Sequence, residues 1–232
     1  VPLAVAPGDF AAVVRGLAKA GFAGANVTLP HKEAALGVCD RLEESARRAG
    51  AVNTLVFGDG IIGSNTDGYG FVANLQAHGV DPGRGPALVL GAGGSARAVG
   101  AALQDAGAEV AFCNRTAARA EELAAALGAR AVPWAARGEA LRDFALLVNT
   151  TSLGMVGQPA LEMDLAGAAA GMAVADIVYA PLETPLLAAA RGLGLIAVPG
   201  LGMLLHQAVP GFAAWFGVTP VVDEEIYRIV AG

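Results

Sequence analysis

Apolar and polar residues alternate along this chain with two different periods, and the switches between them outline its elements. Val1–Val5 is a short run of strand type. Asp9 stands where a helix cap belongs. Phe10, Val13, Val14 and Leu17 then share one face of a helix predicted to run to about Ala20, where Gly21 stops it. Phe22–Thr28 reads as the next strand, Pro30 as the head of a new helix, and about Glu43–Ala49 as a further helix. Ala51–Phe57 and Ile61–Asn65 flank Gly58-Asp59-Gly60, the composition of a hairpin. Asp67 opens a helix reaching about His78.

The turn formers Asp81-Pro82-Gly83-Arg84-Gly85-Pro86 mark a boundary. Beyond it the alternation is regular. Strands are expected at Ala87–Leu90, Glu109–Cys113, Ala131–Pro133, Leu146–Asn149 and Ala173–Ile177. Helices are expected at Ala96–Ala106, Ala117–Leu127, Arg137–Leu141 and Pro185–Arg191. Such alternation builds a parallel, doubly wound sheet covered by helices on both faces. Helices from about Met203 and about Asp223 close the chain.

Two places in this pattern carry chemistry. The apolar strand Leu88-Val89-Leu90 runs into Gly91-Ala92-Gly93-Gly94-Ser95-Ala96 and then a helix. Gly91 permits the turn, Gly93 lets backbone approach a pyrophosphate, and Ala96 is small where helix meets strand. Phosphates would rest on free N–H groups at the positive end of the helix. At the end of the next strand an NAD site usually has an acid for the ribose hydroxyls. This chain has Asn114-Arg115-Thr116, then Arg119. A guanidinium suits a 2′-phosphate, so NADP is favoured. The alternative is that Arg115 is a solvated loop residue.

The second place is split along the chain. A hairpin centred on Asp59 sets Asn53 opposite Asn65, so Asp67 emerges at the same end as Asn53. Lys32, two residues after Pro30, is expected in the first turn of a helix. There the helix dipole would destabilise its charge slightly and lower its pKa, as suits an acid–base group. A solvated surface lysine is the bland alternative. Asp67 also reads as the N-cap of the helix that follows it. His31 is read as a loop or packing residue, His206 as a packing residue and His78 as solvated.

These segments resemble the shikimate dehydrogenase family. The matching runs are Asn26-Val27-Thr28-Leu29-Pro30-His31-Lys32, Gly50-Ala51-Val52-Asn53-Thr54, Asn65-Thr66-Asp67-Gly68, the glycine loop with Arg97, and Asn114-Arg115-Thr116. They continue at Asn149–Met155, Asp176–Tyr179 with Thr184–Leu187, and Gly200–Leu204 with Gln207, so the likeness spans nearly the whole chain. It implies two α/β domains: a substrate domain over residues 1–73, a Rossmann-type NADP-binding domain over 74–203, and C-terminal helices over 204–232 that return to the first. It also implies Lys32 and Asp67 as the catalytic pair, with Thr28, Asn53, Tyr179 and Gln207 on the substrate. Gly91, Ala92, Gly93, Gly94 and Ser95 would hold the pyrophosphate, and Asn114, Arg115, Thr116 and Arg119 the adenosine phosphate. Ile177, Gly200 and Met203 would lie near the nicotinamide. The implied reaction is the NADP-dependent, reversible reduction of 3-dehydroshikimate to shikimate, an aromatic amino-acid precursor, in a cytoplasmic monomer or homodimer. The family begins with a βα unit carrying a serine pair for the substrate carboxylate. No such unit precedes Val1, so about 40 to 50 further residues are expected, the scale of one or two βα units.

Composition narrows the rivals. With 55% hydrophobic residues and a net charge of −6, the chain can bury a large core and shows no basic patch for nucleic acid. No apolar run is long enough for a membrane span. Cys39 and Cys113 make no disulfide framework, and no metal-ligand spacing is present. A quinate/shikimate dehydrogenase of broader substrate or cofactor use remains an alternative. A non-catalytic metabolite sensor would be expected to lack Lys32 or Asp67. A generic dinucleotide-binding protein would leave the motifs before Gly91 unexplained.

Overall fold

A computed structural model describes all residues, Val1–Gly232. The first part holds helix α1 (Phe10–Lys19), strands β1 (Gly24–Asn26) and β2 (Arg41–Leu42), helix α2 (Glu44–Ala49), the hairpin β3 (Thr54–Phe57) and β4 (Ile61–Ser64), and helix α3 (Asp67–Ala77). Its four-stranded sheet has the order β1-β3-β4-β2. The hairpin register pairs Thr54 with Ser64 and Phe57 with Ile61, so it is centred on Asp59 as the turn composition predicts. Phe10, Val14, Val52, Leu55 and Ile61 form the core between this sheet and its helices.

The second part alternates β5 (Ala87–Leu90), α4 (Gly94–Asp105), β6 (Val110–Cys113), α5 (Ala117–Leu127), β7 (Arg130–Ala131), β8 (Leu146–Asn149), β9 (Ala173–Asp176), α6 (Pro185–Gly192) and β10 (Ile196–Val198). The strands form one parallel sheet, β10-β9-β8-β5-β6-β7. Every residue of β5, β6, β8 and β9 is buried, as expected of a parallel sheet covered on both faces. Side chains of β5 alternate between two cores, with Val89 on one face and Leu88 and Leu90 on the other. The strand order reverses direction at β5 and β8, the crevice where α/β sheets bind ligands. The glycine loop leaves β5 at that point.

Helices α7 (Leu201–Phe216) and α8 (Glu224–Ala231) complete the chain. Helix α7 packs on α3 and returns to the first sheet, where Trp215 Nε1 donates to the Leu55 carbonyl at 2.9 Å. No helix is long and apolar enough to cross a membrane.

Several expectations are corrected. Val1–Ala6 joins no sheet; within it Val5 is half-buried, and its carbonyl accepts from His31 Nε2 at 2.9 Å. Asp9 caps nothing with its side chain, because a 3-10 turn precedes α1. Only Gly24–Asn26 of the expected Phe22–Thr28 strand is paired. No α-helix starts at Pro30. The Lys32 carbonyl that would accept from the following turn accepts instead from Val52 N–H, at 2.8 Å, and the chain forms only a 3-10 segment at Ala34–Val38. The strand expected at Ala131–Pro133 is Arg130–Ala131, and the Arg137–Leu141 helix is replaced by 3-10 turns. Strand β10 is not anticipated by the sequence pattern. Helix α7 starts at Leu201 rather than Met203, so a division at 203/204 falls inside a helix.

The α3–α7 contact holds two histidines. His78 is not simply solvated: its Nδ1 bonds the Asn74 carbonyl at 2.9 Å. His206 Nε2 is buried without a partner. Burial, and then nearby His78, hold the His206 pKa below its ordinary 6.5. Below pH 6.5 the unfolded chain therefore binds a proton that the folded state refuses. This contribution is intact above 6.5 and is lost as pH falls through the lower folded value. The urea midpoint should drop on acidification below pH 6.5, and less steeply in His206→Asn. Parallel pH profiles for the two proteins would refute this assignment.

Candidate active site

The site is assembled around Asp67, the first residue of α3. Asp67 is only 3% exposed. Its Oδ1 accepts from Asn53 Nδ2 at 2.8 Å, and its Oδ2 accepts from Lys32 Nζ at 2.7 Å. Asp67 is not the N-cap. Thr66 occupies that position, and the Asp67 N–H is bound by Asn65 Oδ1 at 3.0 Å. Its carboxylate is thereby free for Lys32 and Asn53.

Asn53 is fixed by what surrounds it. The Thr66 backbone N–H can only donate, so its 2.8 Å partner must be the Asn53 oxygen. Thr54 Oγ1 and Thr66 Oγ1 also donate to Asn53 Oδ1. That orientation leaves Nδ2 facing Asp67. One Nδ2 proton remains uncommitted to the protein.

Lys32 is held at both ends, its carbonyl by Val52 N–H and its ammonium by Asp67. With no α-helix around it, the helix-dipole argument for Lys32 falls away. Its charge answers to the buried carboxylate instead. The Lys32 side chain is 24% exposed, against 5% for that of Asp67, so the lysine is the half-open member of the pair.

The remaining positions are placed by their own neighbours in the fold. Thr28 follows Val27, whose N–H donates to the Asn53 carbonyl at 2.8 Å. Gly70 lies one turn beyond Asp67, and a Cβ there would stand 2.7 Å from Gln207 Cβ and from the Met203 carbonyl. Helix α7 thus brings Gln207 and Met203 against the start of α3. A Cβ on Gly200 would stand 2.5 Å from the Ile177 carbonyl, so these two are also in contact. Tyr179, two residues on, is exposed. The side-chain polar groups of Thr28, Tyr179 and Gln207 have no hydrogen-bond partner in the protein.

The loop bearing Ile177 and Tyr179 is anchored by a buried carboxylate to which the sequence pattern assigns no role. Asp176 accepts from Val178 N–H, Thr184 Oγ1 and Asn149 Nδ2. Burial raises its pKa against the pull of those donors.

At the glycine loop, Gly91 has φ +117°, and a Cβ there would stand 2.5 Å from Thr150 Oγ1. Fold alone therefore demands Gly91. Gly93 and Gly94 differ: space beside both is open, and both are exposed. The N–H groups of Gly94, Ser95 and Ala96 have no acceptor in the protein, as at any helix start. Ala92 and Ser95 are half-buried beside them. This cradle fits a pyrophosphate. Past β6, Asn114 Nδ2 donates to the Thr116 carbonyl at 3.0 Å and shapes the loop. Arg115 and Arg119 are exposed and form no ion pair, so both guanidiniums are free to meet an anion. Cys39 and Cys113 are pushed up to about 11, mainly by burial, the opposite direction from an activated thiolate.

Residues 1–55 match the family model of the shikimate dehydrogenase substrate binding domain. A shikimate dehydrogenase (NADP(+)) of Acidiphilium cryptum is 72% identical over 100% of this chain and 84% of its own length. The chain belongs to the shikimate dehydrogenase family. The crystal structure of shikimate 5-dehydrogenase from Thermus thermophilus, in complex with NADP(H) and shikimate, superposes with a TM-score of 0.85 at 40% identity, over 94% of this chain and 81% of that one. A ligand-free 5-ketofructose reductase from a Gluconobacter strain gives a TM-score of 0.90 at 34% identity, over 99% and 85%. The family resemblance read from the motifs is therefore borne out, as is the two-sheet α/β fold.

One consequence separates the observed Lys32 environment from the expected one. Next to a helix dipole, Lys32→Ala would leave stability unchanged or raise it. Next to Asp67, it strands a buried carboxylate without its cation. The variant should lose about 1–3 kcal/mol of unfolding free energy, the cost of an unsatisfied buried group. A urea titration showing equal or greater stability would contradict the ion pair.

Proposed function

We propose that this protein catalyses the reversible, NADP-dependent reduction of 3-dehydroshikimate to shikimate. One observation carries the reading: a half-open lysine is paired with a buried carboxylate whose helix packs directly on the helix of the glycine loop. Gly68 makes that packing possible, since a Cβ there would stand 2.7 Å from Ala102 Cβ and 2.9 Å from the Ala98 carbonyl of α4. In this reading the elements through α3, together with α7 and α8, form the substrate unit, and the elements from β5 to β10 the nucleotide unit. The Trp215–Leu55 bond supports that grouping.

NADPH, when bound, supplies the hydride to the carbonyl carbon. Gly91 to Ser95 hold its pyrophosphate, and Asn114, Arg115, Thr116 and Arg119 its 2′-phosphate side. Ile177, Gly200 and Met203 line the nicotinamide end. Lys32 Nζ presents a proton to the ketone oxygen and stabilises the charge that develops there. Asp67 holds the ammonium in place and accepts from a ring hydroxyl. Thr28, Asn53, Tyr179 and Gln207 orient the ring through groups that the protein itself leaves free. Two free cysteines suit the reducing cytoplasm.

A broader substrate range is the second reading, favoured by the close fold of the 5-ketofructose reductase. Initial rates with shikimate and quinate, each with NADP and NAD, decide between them. Turnover restricted to shikimate with NADP supports the narrow reading; comparable quinate turnover supports the broad one, and no turnover on either removes both. Lys32→Ala should lower kcat by about 10²–10⁴-fold, the range of a general acid. Near-normal kcat would remove Lys32 from the chemistry. Arg115→Ala should weaken NADP binding by about 1.5–3 kcal/mol and leave NAD binding almost unchanged, because only NADP carries the 2′-phosphate. Equal losses for both nucleotides would refute the Arg115 assignment.

A further inference from the structure

Arg97 lies in the first turn of α4, just past the glycine loop, and its N–H closes that turn on the Gly93 carbonyl at 3.0 Å. Its side chain crosses to the other sheet's elements. Nε donates to the Arg48 carbonyl at 2.7 Å, in the last turn of α2. The guanidinium also lies over Gly50, where a Cβ would stand 3.2 Å from Arg97 Cζ. Gly50 has φ +64°, so the residue under the guanidinium is a glycine on backbone grounds as well. A second stitch runs the other way: the Arg48 side chain pairs with Asp105 and donates to Gln104 Oε1 at the far end of α4.

The three residues after Gly50 give this clamp its meaning. Val52 N–H holds the Lys32 carbonyl, and Asn53 Nδ2 holds Asp67. The Asn65 side chain donates to the Ala51 carbonyl at 3.1 Å while its oxygen binds the Asp67 N–H. Segment 50–53 therefore touches every member of the catalytic cluster, and Arg97 ties its start to the phosphate-binding helix.

We propose that Arg97 is a positioning residue: it sets the separation between the glycine-loop helix and the Lys32–Asp67 pair while binding neither substrate nor nucleotide. The inference rests on the reading that nucleotide and substrate sit on the two sheets. In a hydride transfer the reacting atoms must lie about 3–3.5 Å apart, and a shift of about 1 Å can cost about 10²-fold in rate. A planar guanidinium can bond a carbonyl through Nε while lying flat on a peptide; an ammonium can reach the carbonyl but cannot cover the peptide.

The test compares Arg97→Ala and Arg97→Lys with the unmodified protein. It measures kcat, both KM values, the primary isotope effect with NADPH deuterated at the transferred position, and NADP affinity. Amide hydrogen exchange of residues 51–53 is followed with and without NADP. Arg97→Ala should lose about 10- to 100-fold in kcat, the scale of a sub-ångström to ångström displacement. Its KM values and NADP affinity should stay within about threefold, and its isotope effect should rise as the chemical step becomes limiting. NADP should slow exchange at 51–53 in the unmodified protein and not in Arg97→Ala, with Arg97→Lys intermediate. If Arg97→Ala fails to fold, the shortfall of Arg97→Lys decides by the same readouts. Unchanged kcat, a loss confined to NADP affinity, or an exchange response retained in the variant each overturns the proposal. If the unmodified protein does not turn over shikimate, the substrate reading fails alone, and the exchange response still decides the role of Arg97.

Discussion

The Lys32–Asp67–Asn53 cluster exists because Asp67 is buried. A carboxylate removed from water must find donors within the protein. Asp67 finds Asn53 Nδ2 and Lys32 Nζ, from segments 14 and 35 residues away in sequence. Neither arrives by chance. The hairpin register sets Asn53 beside the start of α3, and a register slip of one residue would turn it to the opposite face. The backbone bond from Val52 to Lys32 then draws the lysine segment onto the same strand end. Three far-apart motifs become one constellation through one register and one long-range backbone bond.

That origin explains which features could be read from the sequence. The hairpin is local: Gly58-Asp59-Gly60 fixes its centre, and the pairing of Asn53 with Asp67 comes from counting. The glycine loop is local too, since strand, turn and helix start are contiguous. The setting of Lys32 is not local. Pro30 followed by Lys32-Glu33-Ala34-Ala35-Leu36 is a reasonable helix start by propensity. It is overruled because the Lys32 carbonyl is claimed by a residue 20 positions on. No local rule anticipates that competition. The N-cap reading of Asp67 likewise fails, because Asn65 binds the Asp67 N–H and leaves the carboxylate free for Lys32 and for Asn53, which the hairpin count places beside it. Strand β10, three residues long, is too short to show a period. Asp176 is seen only as part of a matching motif, because an acid at a strand end shows no structural role until its three donors are in place.

The small residues of the motif around Asp67 divide the labour of joining the two sheets. Gly68 meets α4 and Gly70 meets α7, so the first turn of α3 is wedged between the nucleotide-side helix and the returning C-terminal helix. A side chain at either position would push a helix away at backbone level. Close approach here places the buried carboxylate one residue from the contact with α4. The cost of the arrangement is that Asp67 tolerates little movement of either helix, because its two oxygens are already matched to fixed donors.

Glycines in the nucleotide loop obey a different logic, and the contrast says where the protein ends and its ligand begins. Gly91 is enclosed: its φ is left-handed and Thr150 Oγ1 fills the place of a side chain. That residue would be required with no nucleotide in the cell. Gly68, Gly70 and Gly200 are enclosed in the same sense, each pressed by backbone or side chain of a neighbouring element. Gly93 and Gly94 are pressed by nothing. Folding places no steric demand on them, and a side chain at either would meet only open space beside unpaired N–H groups. In the proposed function, the open space beside these two glycines and the unpaired N–H groups of the helix start is where the pyrophosphate would sit.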